Sequence, residues 1–89
     1  MKLASEDREP RVRAFTVAVL GRMKSPPPET FFLERLSDAE EYPRISACQA
    51  LERVGTQICL AELDRRAAGD SAEAVRAAAA KAVKAVRSR

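Results

Sequence analysis

The chain is predicted to be all-α: an α-α superhelix of stacked helical hairpins, about two and a half repeats built from roughly five helices. Three observations predict it. Apolar residues recur at helical spacing, and no stretch alternates with the period of two that a strand needs. The apolar set leans on Ala, Val and Leu, with three Phe, one Tyr and no Trp, which favours helices packed through small side chains over an aromatic-rich sheet core. Finally, one twelve-residue pattern occurs three times at a nearly constant interval, the mark of a repeat architecture.

After a short leader, helices are expected near 10–24, 28–37, 43–54, 56–68 and 73–87. Pro10, Pro28 and Pro43 suit the first turn of a helix, where a missing N–H costs nothing. Gly55 and Gly69 read as left-handed residues just past helix ends, and Thr56 offers a hydroxyl to cap the helix that follows. The "SPPPE" segment at 25–29 reads as a stiff connector, since three prolines barely complete one polyproline turn. Phe31 and Phe32 follow it and supply the bulk that anchors one helix on the next.

The three copies are "VRAFTVAVLGRM" from Val12, "PRISACQALERV" from Pro43 and "VRAAAAKAVKAV" from Val75, aligned without gaps at offsets of 31 and 32 residues. Their first, fifth, eighth, ninth and twelfth positions share one helical face and form an apolar packing stripe. In the first copy this stripe is Val12, Thr16, Val19, Leu20 and Met23. A second column pairs an aspartate with an arginine six residues later: Asp7 with Arg13, Asp38 with Arg44, and Asp70 with Arg76. Each acid can accept hydrogen bonds from N–H groups at the start of its helix. Each can also receive a charge-assisted bond from an arginine of its own or a neighbouring repeat. These six residues are therefore expected to fix turns, so that losing Asp38 would destabilise the fold before it affected any ligand.

The spacing, the Asp-to-Arg column and the "V-R-x-x-A-x-x-A-L" frame resemble HEAT repeats, especially the short repeats of the phycobilin-lyase type. "VRAAAAKAV" matches the frame best; "PRISACQAL" has Pro in place of Val, and "VRAFTVAVL" has Thr in place of Ala. The resemblance runs from about Asp7 onward and implies an α-solenoid used mainly as a binding scaffold. It divides the single domain, 1–89, into units of approximately 1–24, 25–55 and 56–89. The first unit has only "MKLAS" where a preceding helix is expected, and Ala14, Val17 and Ala18 leave its motif helix apolar nearly all round. A solenoid end normally carries a polar cap. The chain is accordingly expected to be a piece or small module of a larger assembly, or to associate with itself through this N-terminal edge.

The composition argues against chemistry. There is no His, which removes the most versatile general base and metal ligand. Cys48 and Cys59 have no metal-ligand cadence and sit in apolar helical surroundings, where a free thiol behaves as a small hydrophobe. Glu40 and Glu41 are adjacent carboxylates in a polar turn with nothing to tune them as an acid and base. No catalytic residue, cofactor or metal is expected, nor is lyase activity, because a repeat frame identifies a scaffold and not its site. No apolar run reaches the roughly 18 residues of a membrane span and "MKLAS" is too short for a signal peptide, so a cytoplasmic protein is expected.

What remains is the face opposite the packing stripe. Its columns hold Ala18, Gln49 and Lys81; Gly21, Glu52 and Lys84; and Arg22, Arg53 and Ala85, a mixed surface that leans positive within a net charge of +3. Arg22, Gln49, Glu52, Arg53, Lys81 and Lys84 are the candidate partner-binding residues. The first reading is an acidic peptide or helix of a protein partner. The alternatives are a nucleic-acid backbone, an accessory role beside an enzyme such as a bilin lyase, or a purely structural extension of a larger solenoid.

Overall fold

The computed structural model describes residues 7–89, and within them five α-helices follow one another: α1 Pro10–Arg22, α2 Glu29–Arg35, α3 Glu41–Val54, α4 Leu60–Gly69 and α5 Glu73–Arg87. A single 3-10 turn, Gln57–Cys59, leads into α4, and there is no strand among the described residues. The expectations placed on "MKLAS" lie outside the described residues. The prolines fall near the expected places: Pro10 opens α1, Pro28 is the N-cap of α2 and Pro43 lies in the first turn of α3. Thr56 caps the 3-10 turn by accepting from the Ile58 N–H, and its own N–H and hydroxyl donate to Glu29. That link ties the start of α2 to the start of α4.

The helices form a slab of about 37 × 30 × 15 Å. Helices α1, α3 and α5 lie side by side with α3 in the middle, while α2 packs on α3 and α4 on α5. Each copy of the twelve-residue pattern therefore lies in a helix of one layer. In α5 the expected stripe is wholly buried: Val75, Ala79, Ala82, Val83 and Val86. In α3, Pro43, Ala47, Ala50 and Leu51 are buried and Val54 is half-buried. Phe32, Leu36, Cys59 and Leu63 close this core from the α2 and α4 side. Phe31 is half-buried, meets Phe32 edge-to-face at 5.2 Å, and is covered by the Arg35 guanidinium at 3.9 Å from its ring centre.

Two expectations are corrected. The α1 stripe is not a packing stripe, since Val12, Val19 and Met23 are exposed and only Thr16 and Leu20 are half-buried. Nothing in the described residues stands against α1 as α2 does against α3, so α1 instead buries Val17 and Gly21 against α3. The second correction concerns the glycines, none of which has a positive φ. Gly55 is extended, at φ −69° and ψ 150°, and it is small for reasons of space. A Cβ there would lie 2.6 Å from both Cys59 Sγ and the Leu51 carbonyl oxygen. Gly69 is simply the last residue of α4, with open space around it.

Gly21 sets the separation of α1 from α3. A Cβ at this position would stand 2.6 Å from Ala50 Cβ and 3.1 Å from Ala50 Cα, so the clash is with backbone-anchored atoms that cannot swing aside. Gly21→Ala should therefore destabilise the domain despite alanine's better helix propensity, by about 1–3 kcal/mol as typical of overpacking. At this chain length that is a fall of roughly 4–8 °C in Tm per kcal/mol. Adding Ala50→Gly should return part of the loss; thermal unfolding of the two variants checks both.

Candidate functional site

The Asp and Arg columns meet as a ladder that crosses from one repeat to the next. Arg13 on α1 grips Asp38 with both prongs of its fork, Nε to Oδ2 and Nη2 to Oδ1, each at 2.9 Å. Arg44 on α3 grips Asp70 the same way, both bonds at 3.1 Å. The remaining nitrogen, Nη1, turns back to the carbonyl of the aspartate in its own repeat: Arg13 to Asp7, Arg44 to Asp38 and Arg76 to Asp70, at 2.6–2.8 Å. Each aspartate also accepts from the N–H two residues on, Glu9, Glu40 and Ala72, which are the N-cap residues of α1, α3 and α5. One side chain thus shapes a turn and joins two repeats, the neighbouring-repeat geometry that the columns allowed.

Burial pushes the Asp70 carboxyl up, but the Ala72 amide, the Arg44 fork and the nearby Arg66 hold it below its usual range. Asp38 follows suit: burial raises it, and Arg13 with the Glu40 amide lower it further. The Arg44–Asp70 pair is the drier of the two, with side chains 9% and 1% exposed.

On the opposite side of α3 from its buried Ala47 and Leu51, a groove of about 280 Å³ opens between α1 and α3. Arg22 from α1, Gln49, Glu52 and Arg53 from α3, and Lys81 from α5 line it. Five of the six candidate binding residues are therefore brought to one groove. The sixth, Lys84, belongs to a second cleft beside Asp64, Ala67 and Arg87. The groove also takes in Ala50, which the repeat pattern placed in the packing stripe, and Ser46, to which it gave no role. Their small size in the fourth and eighth pattern positions was the signal available, because a neighbouring helix can approach only where side chains are short. Lys81 reaches Glu52 at 4.0 Å, whereas Arg22 and Arg53 are exposed and have no ion pair among the described residues.

The family model of HEAT repeats matches residues 1–84. The chain belongs to the HEAT-repeat family. As a HEAT-repeat protein it is a helical repeat scaffold of a kind that commonly engages other proteins. The match is to HEAT repeats in general and does not extend to the phycobilin-lyase type. No curated protein and no solved structure matches the chain significantly.

The two thiols lie in the core of the HEAT-repeat framework. Cys48 and Cys59 are both free and buried. Burial, reinforced by the Asp70 charge, pushes the Cys48 thiol up to about 12, and burial with the Glu29 carboxylate pushes Cys59 up to about 11. A thiol with so little thiolate at neutral pH is a poor nucleophile. Glu40 and Glu41 are exposed at the start of α3. Among the described residues no group of three His, Cys, Asp or Glu is placed to hold a metal, and no helix is long and apolar enough to cross a membrane.

The ladder has a pH signature. A carboxyl whose folded pKa is lowered stabilises the fold above its unfolded value, 3.8 for Asp, and loses that contribution as pH falls through the folded value. Wild-type stability should therefore drop on acidification below about pH 4. Asp70→Asn should be less stable at pH 7 by about 3–5 kcal/mol, the cost of leaving the buried Arg44 charge unmatched, with a shallower loss below pH 4; denaturant titrations across pH 2–7 check both. The thiols make a further prediction. Alkylation of Cys48 and Cys59 in the native protein should be slow at pH 7.5 and should accelerate by orders of magnitude in denaturant, as a time course with a maleimide would read.

Proposed function

We propose that this HEAT-repeat chain is a non-enzymatic cytoplasmic scaffold that binds an acidic segment of a protein partner in the groove between α1 and α3. The division into units 1–24, 25–55 and 56–89 is the frame of that reading, with the motif helices α1, α3 and α5 presenting the binding face. One observation carries it. The Arg22 and Arg53 guanidinium groups flank a groove of about 280 Å³ and have no ion pair among the described residues, while Lys81 adds a third cation and pairs with Glu52, the one acid lining the groove. Such a site selects an anionic ligand, since its unpaired planar forks match carboxylates bidentately. Gln49 and Ser46 between them supply donors and acceptors for a peptide backbone.

The expected ligand is a short helix or extended segment carrying two or more Asp or Glu residues. Titration of a fluorescently labelled acidic amphipathic peptide by polarisation should give saturable binding. The double variant Arg22→Glu/Arg53→Glu should weaken it at least tenfold with an unchanged Tm, because both side chains are exposed. A nucleic-acid backbone ligand would instead show affinity for duplex DNA that falls steeply and log-linearly with salt. That outcome, with no peptide binding, would replace the reading.

A further inference from the structure

The ladder has a direction, and among the described residues both of its end rungs are open. Arginines of an earlier repeat grip aspartates of the next, Arg13 to Asp38 and Arg44 to Asp70. At one end Asp7 already holds the pose of its counterparts, its Oδ1 accepting from Glu9 N–H at 2.8 Å and its carbonyl from Arg13, but no arginine side chain among the described residues reaches its carboxylate. At the other end Arg76 repeats the inner bond of Arg13 and Arg44, Nη1 to the Asp70 carbonyl at 2.6 Å. Its Nε and Nη2, the prongs that grip a carboxylate in the two inner rungs, have no hydrogen bond among the described residues and are not sealed from solvent.

The surfaces around these rungs are complementary in the same sense. Beside Asp7, α1 exposes Phe15 (71%), Val19 (45%), Met23 and Val12. In α3 the equivalent positions, Ser46, Ala50, Val54 and Pro43, form much of the side that meets α1 or the core. Beside Arg76, α5 exposes Ala77, Ala80, Lys81 and Lys84, the positions that in α1 (Ala14, Val17, Ala18 and Gly21) pack against α3. An apolar-floored cleft of about 470 Å³ lies there between α4 and α5, formed by Ala67, Ala80 and Val83 and rimmed by Lys84 and Arg87. Bulky apolar side chains and a carboxylate without an arginine partner among the described residues at one end thus match small side chains, the stems of Lys81 and Lys84, a cleft and the two open prongs of Arg76 at the other.

We propose that the chain associates head-to-tail with a second copy of itself: Asp7 of one molecule completes the Arg76 rung of the next, while the Phe15–Val19 face of α1 seats on α5 over the α4–α5 cleft. This contact shares Lys81 with the groove between α1 and α3 but needs neither Arg22 nor Arg53, so losing peptide binding through those two arginines leaves it intact. Because the two patches differ, the contact is heterologous and does not close on a dimer, so association builds short stacks. An apolar contact of this kind is what removes the exposed α1 face from water.

Sedimentation equilibrium of the 89-residue chain tests it. The wild type should show a mass rising with concentration past that of a dimer. Phe15→Glu, at an exposed head position, and Ala80→Arg, at an exposed tail position, should each be monomeric, with Tm confirming that both fold. An equimolar mixture of the two should form a 1:1 heterodimer, because each keeps the end the other lacks. Arg76→Asp should also be monomeric, and Asp7→Arg/Arg76→Asp should regain association by reversing the rung. A strictly monomeric wild type at millimolar concentration would overturn the proposal. So would Ala80→Arg or Arg76→Asp persisting as a dimer that Phe15→Glu abolishes, the result for two α1 faces meeting symmetrically.

Discussion

The planar fork of Arg44 closing on both oxygens of Asp70 is the constraint around which this domain is arranged. A bidentate pair fixes distance and orientation together, and here it does so between two helices that no turn connects. Asp70 is itself held by the Ala72 amide, so the pair transmits the position of α3 to the first turn of α5. Arg13 and Asp38 repeat the arrangement one repeat earlier. Such a pair is not a strong source of net stability, because desolvation offsets much of its attraction. It defines the register in which the apolar layers meet, and breaking one half leaves an unmatched charge where little water can reach.

Once the register is defined, the allowed side chains follow from distance. The approach of α1 to α3 leaves no room for a Cβ at Gly21 opposite Ala50, and Phe32 from α2 lies close by at the same junction. Small residues recur along the motif helices because each middle helix has neighbours on both sides; alanine is favoured there by fit as much as by helix propensity. The packed aromatic residues belong to the second layer, where Phe32 fills the space between helices and Phe31 lies under Arg35; Phe15 and Tyr42, on the motif helices, are exposed. At the far corner the Arg89 side chain donates to the Gly55 and Glu52 carbonyls, fastening the end of the chain to the end of α3.

The same repeat logic separates framework from surface. In the second pattern position Arg13 and Arg44 are used up inside the ladder, whereas Arg22 and Arg53, one position short of the stripe's last residue, have no ion pair among the described residues at the groove. Two arginines of one helix, such as Arg44 and Arg53, thus have opposite roles because they differ in facing and in what lies opposite. The cysteines make the parallel point for apolar positions: Cys48 and Cys59 are core residues whose thiols are kept protonated by the burial that makes them useful there.

By itself the sequence determined the class of fold, the five helices to within a few residues, and the pairing of Asp and Arg columns. These are encoded locally, in helical periodicity, in prolines at helix starts and in a period of 31–32 residues that survives substitution. It also placed Arg22, Gln49, Glu52, Arg53 and Lys81 on a common side, since a repeated pattern places equivalent residues equivalently. Only the tertiary structure decided what a face meets. The α1 stripe has the same pattern as those of α3 and α5 yet stays exposed, because burial depends on a neighbouring helix and not on the pattern. Gly55 was legible as a helix end but not for the right reason, since nearness to Cys59 Sγ is a matter of space that no local rule contains. Likewise, the columns showed that Arg44 had a partner, but choosing the carboxylate of Asp70 over that of Asp38 required the distance between two repeats.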